Sequence, residues 1–186
     1  MKIYTKRGDR GETSLLGNEP ASKASLRVCA YGDVDELNAT LGLARTHLAP
    51  RDGELDAILA GLQSALFDLG AELATPPGAA GKASTPVGPE DVARLERIID
   101  RLQEELEPQK HFVLPGGSPA AAALHLARTV CRRAERSVVA LREKEPVGAD
   151  ALVFLNRLSD LLFVMARAAN ARAAVADVPW IARRPA

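Results

Sequence analysis

Apolar side chains recur at helical spacing through most of the chain. From Gly53 to Leu73 they are Leu55, Leu59, Leu62, Leu66, Leu69 and Leu73, alternating steps of four and three that make a bundle or coiled-coil seam. The rhythm resumes after Pro89 with Val92, Leu95, Ile99, Leu102 and Leu106, and Glu107-Pro108 ends it. Upstream, Val34, Leu37, Leu41 and Ala44 share one face of a helix running to about His47. Asp33 and Glu36 stand at capping-box spacing, which predicts that this helix starts at Asp33. Asp35 and Asn38 fall off its apolar face and read as surface polarity. Downstream, Pro115-Gly116-Gly117 predicts a turn, Ser118 an N-cap and Pro119 a first helical position. Leu124, Ala127, Val130, Cys131, Ala134, Val138 and Leu141 then line one arc of a helix. After a turn at Glu145–Gly148, leucines surround most of a helix from about Asp150 to Ala174, which places it at the centre of the bundle.

Residues 1–28 carry no helical period, and the only extended piece expected is at Lys2–Thr5. Residues 74–88, ATPPGAAGKASTPVG, are long for a compact connection and are either mobile or part of a site. Five helical segments predict an all-α, up-and-down five-helix bundle. It forms one domain over residues 1–186, with the helices within 32–174.

Composition narrows the function classes. Lys+Arg and Asp+Glu are equal at 24 each, so no net charge draws the protein to nucleic acid or a membrane. Cys29 and Cys131 form no CxxC pattern, and His47, His111 and His125 match no metal-ligand spacing, so no metal site built from protein side chains is expected. With no signal peptide and no apolar run long enough for a bilayer, the expected location is the cytoplasm.

Candidate chemistry concentrates on the helix after Ser118. Arg128, Arg132 and Arg136 are four residues apart, with Arg133 and Glu135 beside them, opposite the apolar arc. Arginine suits bidentate phosphate contact, and the preceding Gly-rich turn permits close backbone approach, so this edge reads as an anion or phosphate site rather than a solvated face. The first 28 residues combine Gly8, Gly11 and Gly17 with Lys6, Arg7, Thr13, Ser14 and Lys23. Such a segment is either a basic leader or a wrap for a polyphosphate, and it lacks the GxxxxGK[ST] of a Walker A loop. On the last helix Asn156, Asp160, Phe163, Arg167 and Asn170 recur in a partly polar seam, satisfied either internally or by a ligand.

Three blocks in order, TKRGDRGETSLLG (5–17), FVLPGGSPAAAALHLARTVCRRAER (112–136) and LNRLSDLLFVMARAAN (155–170), with AYGDVDELNA (30–39) between the first two, resemble the PduO-type ATP:cob(I)alamin adenosyltransferases. The resemblance implies a ferritin-like, cobalamin adenosyltransferase-like bundle assembling as a homotrimer with active sites between subunits. It implies transfer of the 5′-deoxyadenosyl group of MgATP to Co(I) of a corrinoid such as cobalamin, leaving triphosphate. ATP contacts then fall on Thr5, Lys6, Arg7, Gly8, Thr13, Ser14, Lys23, Arg132, Arg133, Ala134, Glu135, Arg136 and Asn156. Phe112 closes the lower corrin face, Phe163 joins the cobalamin site, and Asp35 pairs with Arg128 across the subunit interface. Arg132, Phe112, Asp35 and Arg128 carry the catalytic roles, and magnesium arrives with ATP. Implied partners are a flavoprotein reductase and an adenosylcobalamin-dependent enzyme. The rival classes are a non-catalytic helical module that binds nucleotide or cobalamin, and a purely structural bundle.

Overall fold

The computed structural model describes residues 3, 4, 6, 8–79 and 86–182. Two short strands, β1 (Glu12–Ser14) and β2 (Pro20–Ser22), pair antiparallel ahead of five helices. The helices are α1 (Leu26–Thr46), α2 (Gly53–Leu73), α3 (Pro89–Glu104), α4 (Pro119–Arg142) and α5 (Ala149–Arg172). Within the bundle α2 packs on α1, α1 on α4, α4 on α5 and α5 on α3. Cross-helix bonds fix the directions. Arg45 Nε donates to Asp56 Oδ1 at 2.6 Å, so α1 and α2 run antiparallel. Ser118 N–H reaches Asn170 and Asn156 reaches Glu135, so α4 and α5 do too.

Leucine spacing explains α2 in full, since all six seam leucines are buried. On α3, Val92, Leu95 and Leu102 are buried while Ile99 packs partly against the core, as does Leu106 just beyond the end of the helix. The predicted arc of α4 is buried throughout, and Ser118 Oγ accepts the Ala121 N–H at 3.2 Å as the expected N-cap. No helix among the described residues is long and apolar enough to cross a membrane.

Three expectations are overturned. Helix α1 starts at Leu26, not Asp33, because Ser25 caps it by accepting from Val28 N–H. Asp33 and Glu36 instead lie inside the helix and face α4, meeting Ser137 and Arg133. Asn38 is not surface polarity: it is 6% exposed, with Nδ2 donating to Gln63 O (3.1 Å) and its own carbonyl accepting from Gln63 Nε2 (3.2 Å). Finally, Lys2 and Thr5 of the expected extended piece lie outside the described residues, but that piece is not the only extended structure: strands form at Glu12–Ser14 and Pro20–Ser22. These three-residue strands are too short to show a period; Lys23 N–H on Gly11 O (2.8 Å) closes the open end of the hairpin, and Leu16 N–H on Ala74 O (3.1 Å) ties it to the end of α2.

Arg27, only 4% exposed, ties this end of the bundle together. Its guanidinium donates to Leu73 O (2.6 Å) and Thr75 O (3.0 Å) and pairs with Glu145 (2.7 Å). Carbonyls at the end of α2 thus gain the partners a helix terminus lacks, in the stretch on which the hairpin docks.

Candidate active site

The turn ahead of α4 is built by glycine and Asn170. Gly116 and Gly117 adopt φ of 157° and 103°, and a Cβ on Gly117 would overlap the Asn170 amide. Asn170, 2% exposed, accepts the Ser118 N–H at 2.8 Å and donates to Gly116 O at 3.2 Å and Asp177 Oδ1 at 3.1 Å. Asp177 also takes Arg167 Nε at 2.7 Å. Two members of the predicted polar seam, Arg167 and Asn170, are therefore satisfied internally.

Beside this turn opens a cleft of about 520 Å³ between α3, α4, α5 and the segment before α4. It brings together Phe112, Arg128, Arg132 and Phe163, all singled out in the sequence. Val113, Ser159 and Val164 also line it, and their small or apolar character gave no signal on its own. Arg132 is exposed and has no ion pair among the described residues, and its carbonyl accepts from Arg136 Nη1 at 2.9 Å. The Nε of Arg128 is buried without a hydrogen-bond partner. Phe112 stands 75% exposed.

Behind Phe163 sits His125, 2% exposed, its ring edge-on at 6.0 Å. Burial first, then the Arg128 charge, push its pKa below the ordinary value, against a weaker upward pull from Asp177. The imidazole is thereby held neutral. Cys131, 0% exposed with its thiol on Leu155 O, is pushed far above the ordinary thiol range, chiefly by burial, and offers no thiolate.

The other predicted contacts divide. Lys23 Nζ donates to Gly8 O at 2.9 Å, so the hairpin folds these two together, with Thr13 and Ser14 on β1. Lys6 has a left-handed φ of 62°. Thr5 and Arg7 lie outside the described residues. Asn156 Nδ2 meets Glu135 Oε1 at 3.1 Å on the α4–α5 edge. Arg133 turns to α1 and pairs with Glu36, with Asp33 at 3.5 Å. Ala134, also among the predicted contacts, is 0% exposed and packs in the core between the guanidinium-bearing turns of α4. Asp35 is exposed and forms no bond to Arg128 within the chain.

Residues 3–169 match the family model described as cobalamin adenosyltransferase. The chain belongs to that family. It is 45% identical over 182 residues to the corrinoid adenosyltransferase of Bacillus subtilis (strain 168), covering 97% of this chain and 92% of that one. With the corrinoid adenosyltransferase of Citrobacter freundii identity is 43% over 166 residues, covering 89% and 93%. Among solved structures, an F112H variant PduO-type ATP:corrinoid adenosyltransferase from Lactobacillus reuteri complexed with cobalamin and ATP superposes with a TM-score of 0.91. There identity is 39%, with 96% of each chain covered.

Proposed function

We infer that the protein is a corrinoid adenosyltransferase: it transfers the 5′-deoxyadenosyl group of ATP to the Co(I) centre of a corrinoid and releases triphosphate. The cleft carries this reading, because one cavity joins an apolar lining of Phe112, Val113, Phe163 and Val164 to the guanidinium edge of Arg128 and Arg132.

In this reaction Co(I) supplies the electron pair of the new cobalt–carbon bond, and the C5′–O bond breaks with its pair leaving on triphosphate. No protein nucleophile or base is needed, in keeping with a buried thiol at Cys131 and a buried neutral imidazole at His125. The protein's task is orientation and charge stabilisation. Arg132, Lys6, Lys23 and the magnesium carried by ATP balance charge growing on the leaving group. The remaining nucleotide contacts are Thr5, Arg7, Gly8, Thr13, Ser14, Glu135, Arg136 and Asn156. Arg133 joins them only by giving up its α1 carboxylates. The apolar wall keeps water and nitrogen ligands from cobalt, which eases reduction of Co(II).

The protein assembles as a homotrimer in the cytoplasm and receives electrons from a flavoprotein reductase. A buried Arg128 Nε without an acceptor, and an exposed Asp35 carboxylate on α1, support pairing of these two between subunits. The deciding experiment is anaerobic: chemically reduced cobalamin is mixed with MgATP and protein, and the Co(I) spectrum is followed. Its replacement by the adenosylcobalamin spectrum is expected. Binding of both ligands with an unchanged Co(I) spectrum would identify a carrier instead.

A further inference from the structure

We propose that Trp180 is a positioning residue that holds the Phe112 ring against the corrinoid cleft. The proposal rests on the reading of Phe112 given above and adds the residue that fixes it.

The chain after α5 returns to the segment before α4 and pairs with it antiparallel. Trp180 N–H donates to Phe112 O at 2.7 Å, Leu114 N–H donates to Val178 O at 2.8 Å, and Val113 bridges Pro179 between them. This strap is anchored at its root, where Asp177 accepts from Arg167 and Asn170 of α5. At its tip the Trp180 indole meets the Phe112 ring edge-on, centroids 6.3 Å apart at 75°.

Phe112 needs such a holder. At 75% exposure it has little core contact, and its ring stands between two openings. One is the cleft with Arg128 and Arg132. The other, about 410 Å³, is lined by Gln109, Lys110, His111 and Trp180. A side chain poised between two cavities divides its time between them unless something blocks one rotamer. The indole lies on the side of the second opening and supplies that block. An edge-to-face contact of this kind biases populations about 2- to 12-fold.

Trp180 is the single tryptophan of the chain, so its emission reports this contact without any ligand. Phe112→Ala should shift that emission to the red, and an unchanged spectrum would overturn the contact. For the positioning role, Co(II)balamin with MgATP is examined by electron paramagnetic resonance. Trp180→Ala should lower the ratio of four- to five-coordinate Co(II) by about 2- to 12-fold. Trp180→Phe should restore most of it, and the KM for MgATP should stay within about twofold throughout. A purely structural lesion would move both parameters and leave Trp180→Phe no special advantage. If Trp180→Ala does not fold, Trp180→Leu, which keeps bulk without an aromatic edge, takes its place. A wild-type ratio in Trp180→Ala or Trp180→Leu, alongside a lowered ratio in Phe112→Ala, overturns the role of Trp180 alone. A wild-type ratio in Phe112→Ala means the reading of Phe112 has failed first.

Discussion

The Asn170 amide occupies the space that a side chain on Gly117 would need, and from there it holds both Ser118 N–H and Gly116 O. The sharp turn at the mouth of α4 therefore depends on a residue at the far end of α5. Gly117→Ala combines a disfavoured φ with this overlap, so Asn170 must move and leave buried groups unpaired. A loss of about 1–3 kcal/mol follows, seen as a melting temperature lower by roughly 2–12 °C. Asn170→Ala should cost a similar amount. The double variant should fall well short of the sum, and additive losses would show that the two residues act separately.

How much of this was legible in sequence depends on where each residue finds its partner. Leu55 to Leu73 fixed α2 because burial repeats along one local period. Arg128 and Arg132 were visible for the same reason: helical spacing alone puts them on one edge. Asp33 and Glu36 misled, since a capping-box spacing is local while their actual partners, Ser137 and Arg133, come from α4. Arg27 gave no signal in the sequence because the carbonyls it binds belong to α2 and the loop beyond. Trp180 showed nothing in a tail without period, because its meaning comes from pairing with Phe112.

Arg132 carries the clearest catalytic prediction. It lines the cleft, is exposed, and has no carboxylate partner among the described residues. Arg132→Ala should lower kcat by about 10²–10³, the usual loss of one donor to a developing anion. Arg132→Lys should recover little, because an ammonium lacks the planar fork. A kcat within about threefold of wild type in Arg132→Ala would remove it from the transition state.

Asp35 and Arg128 test the assembly. Asp35→Asn should leave Arg128 without its anion, a loss of up to about 3–5 kcal/mol, the figure for a fully buried pair. Corrinoid affinity should drop more than ATP affinity. The swap of Asp35→Arg with Arg128→Asp should recover part of the loss, and sedimentation should report a trimer for wild type. Independent, additive effects in the double-mutant cycle, or a monomer in wild type, would refute the pairing.

His125 sets a pH dependence of stability. Its folded pKa lies below the ordinary 6.5, driven by burial and then by Arg128, while Asp177 pulls weakly the other way. The unfolded chain therefore takes up this proton more readily than the folded one. Stability from the neutral ring is fully present above pH 6.5 and is lost as pH falls through the folded value. Unfolding free energy measured by denaturant should decline from pH 7.5 to 5, and His125→Phe should flatten that decline. Equal slopes in the two proteins would assign the effect to other groups.

Phe112 separates the two halves of the reaction. Exposed beside the cleft, its ring has a contact with Trp180 rather than a place in the core, so truncation should leave the bundle intact. Phe112→Ala should melt within a few degrees of wild type and bind MgATP with similar affinity. Its deficit should lie in cobalt chemistry. Without an apolar plane against the corrin, Co(II) keeps a lower ligand, its reduction becomes harder, and little Co(I) forms for attack on C5′. Adenosylation should therefore fall strongly when a reductase must generate Co(I) on the protein. It should recover in part when Co(I) is prepared chemically, because the step the ring assists has then been bypassed. Phe112→Trp keeps an apolar plane and should retain more activity, within the limits that crowding beside Trp180 imposes. An equal deficit with both sources of Co(I) would place the role of Phe112 after reduction, in binding or in orienting the corrinoid for transfer.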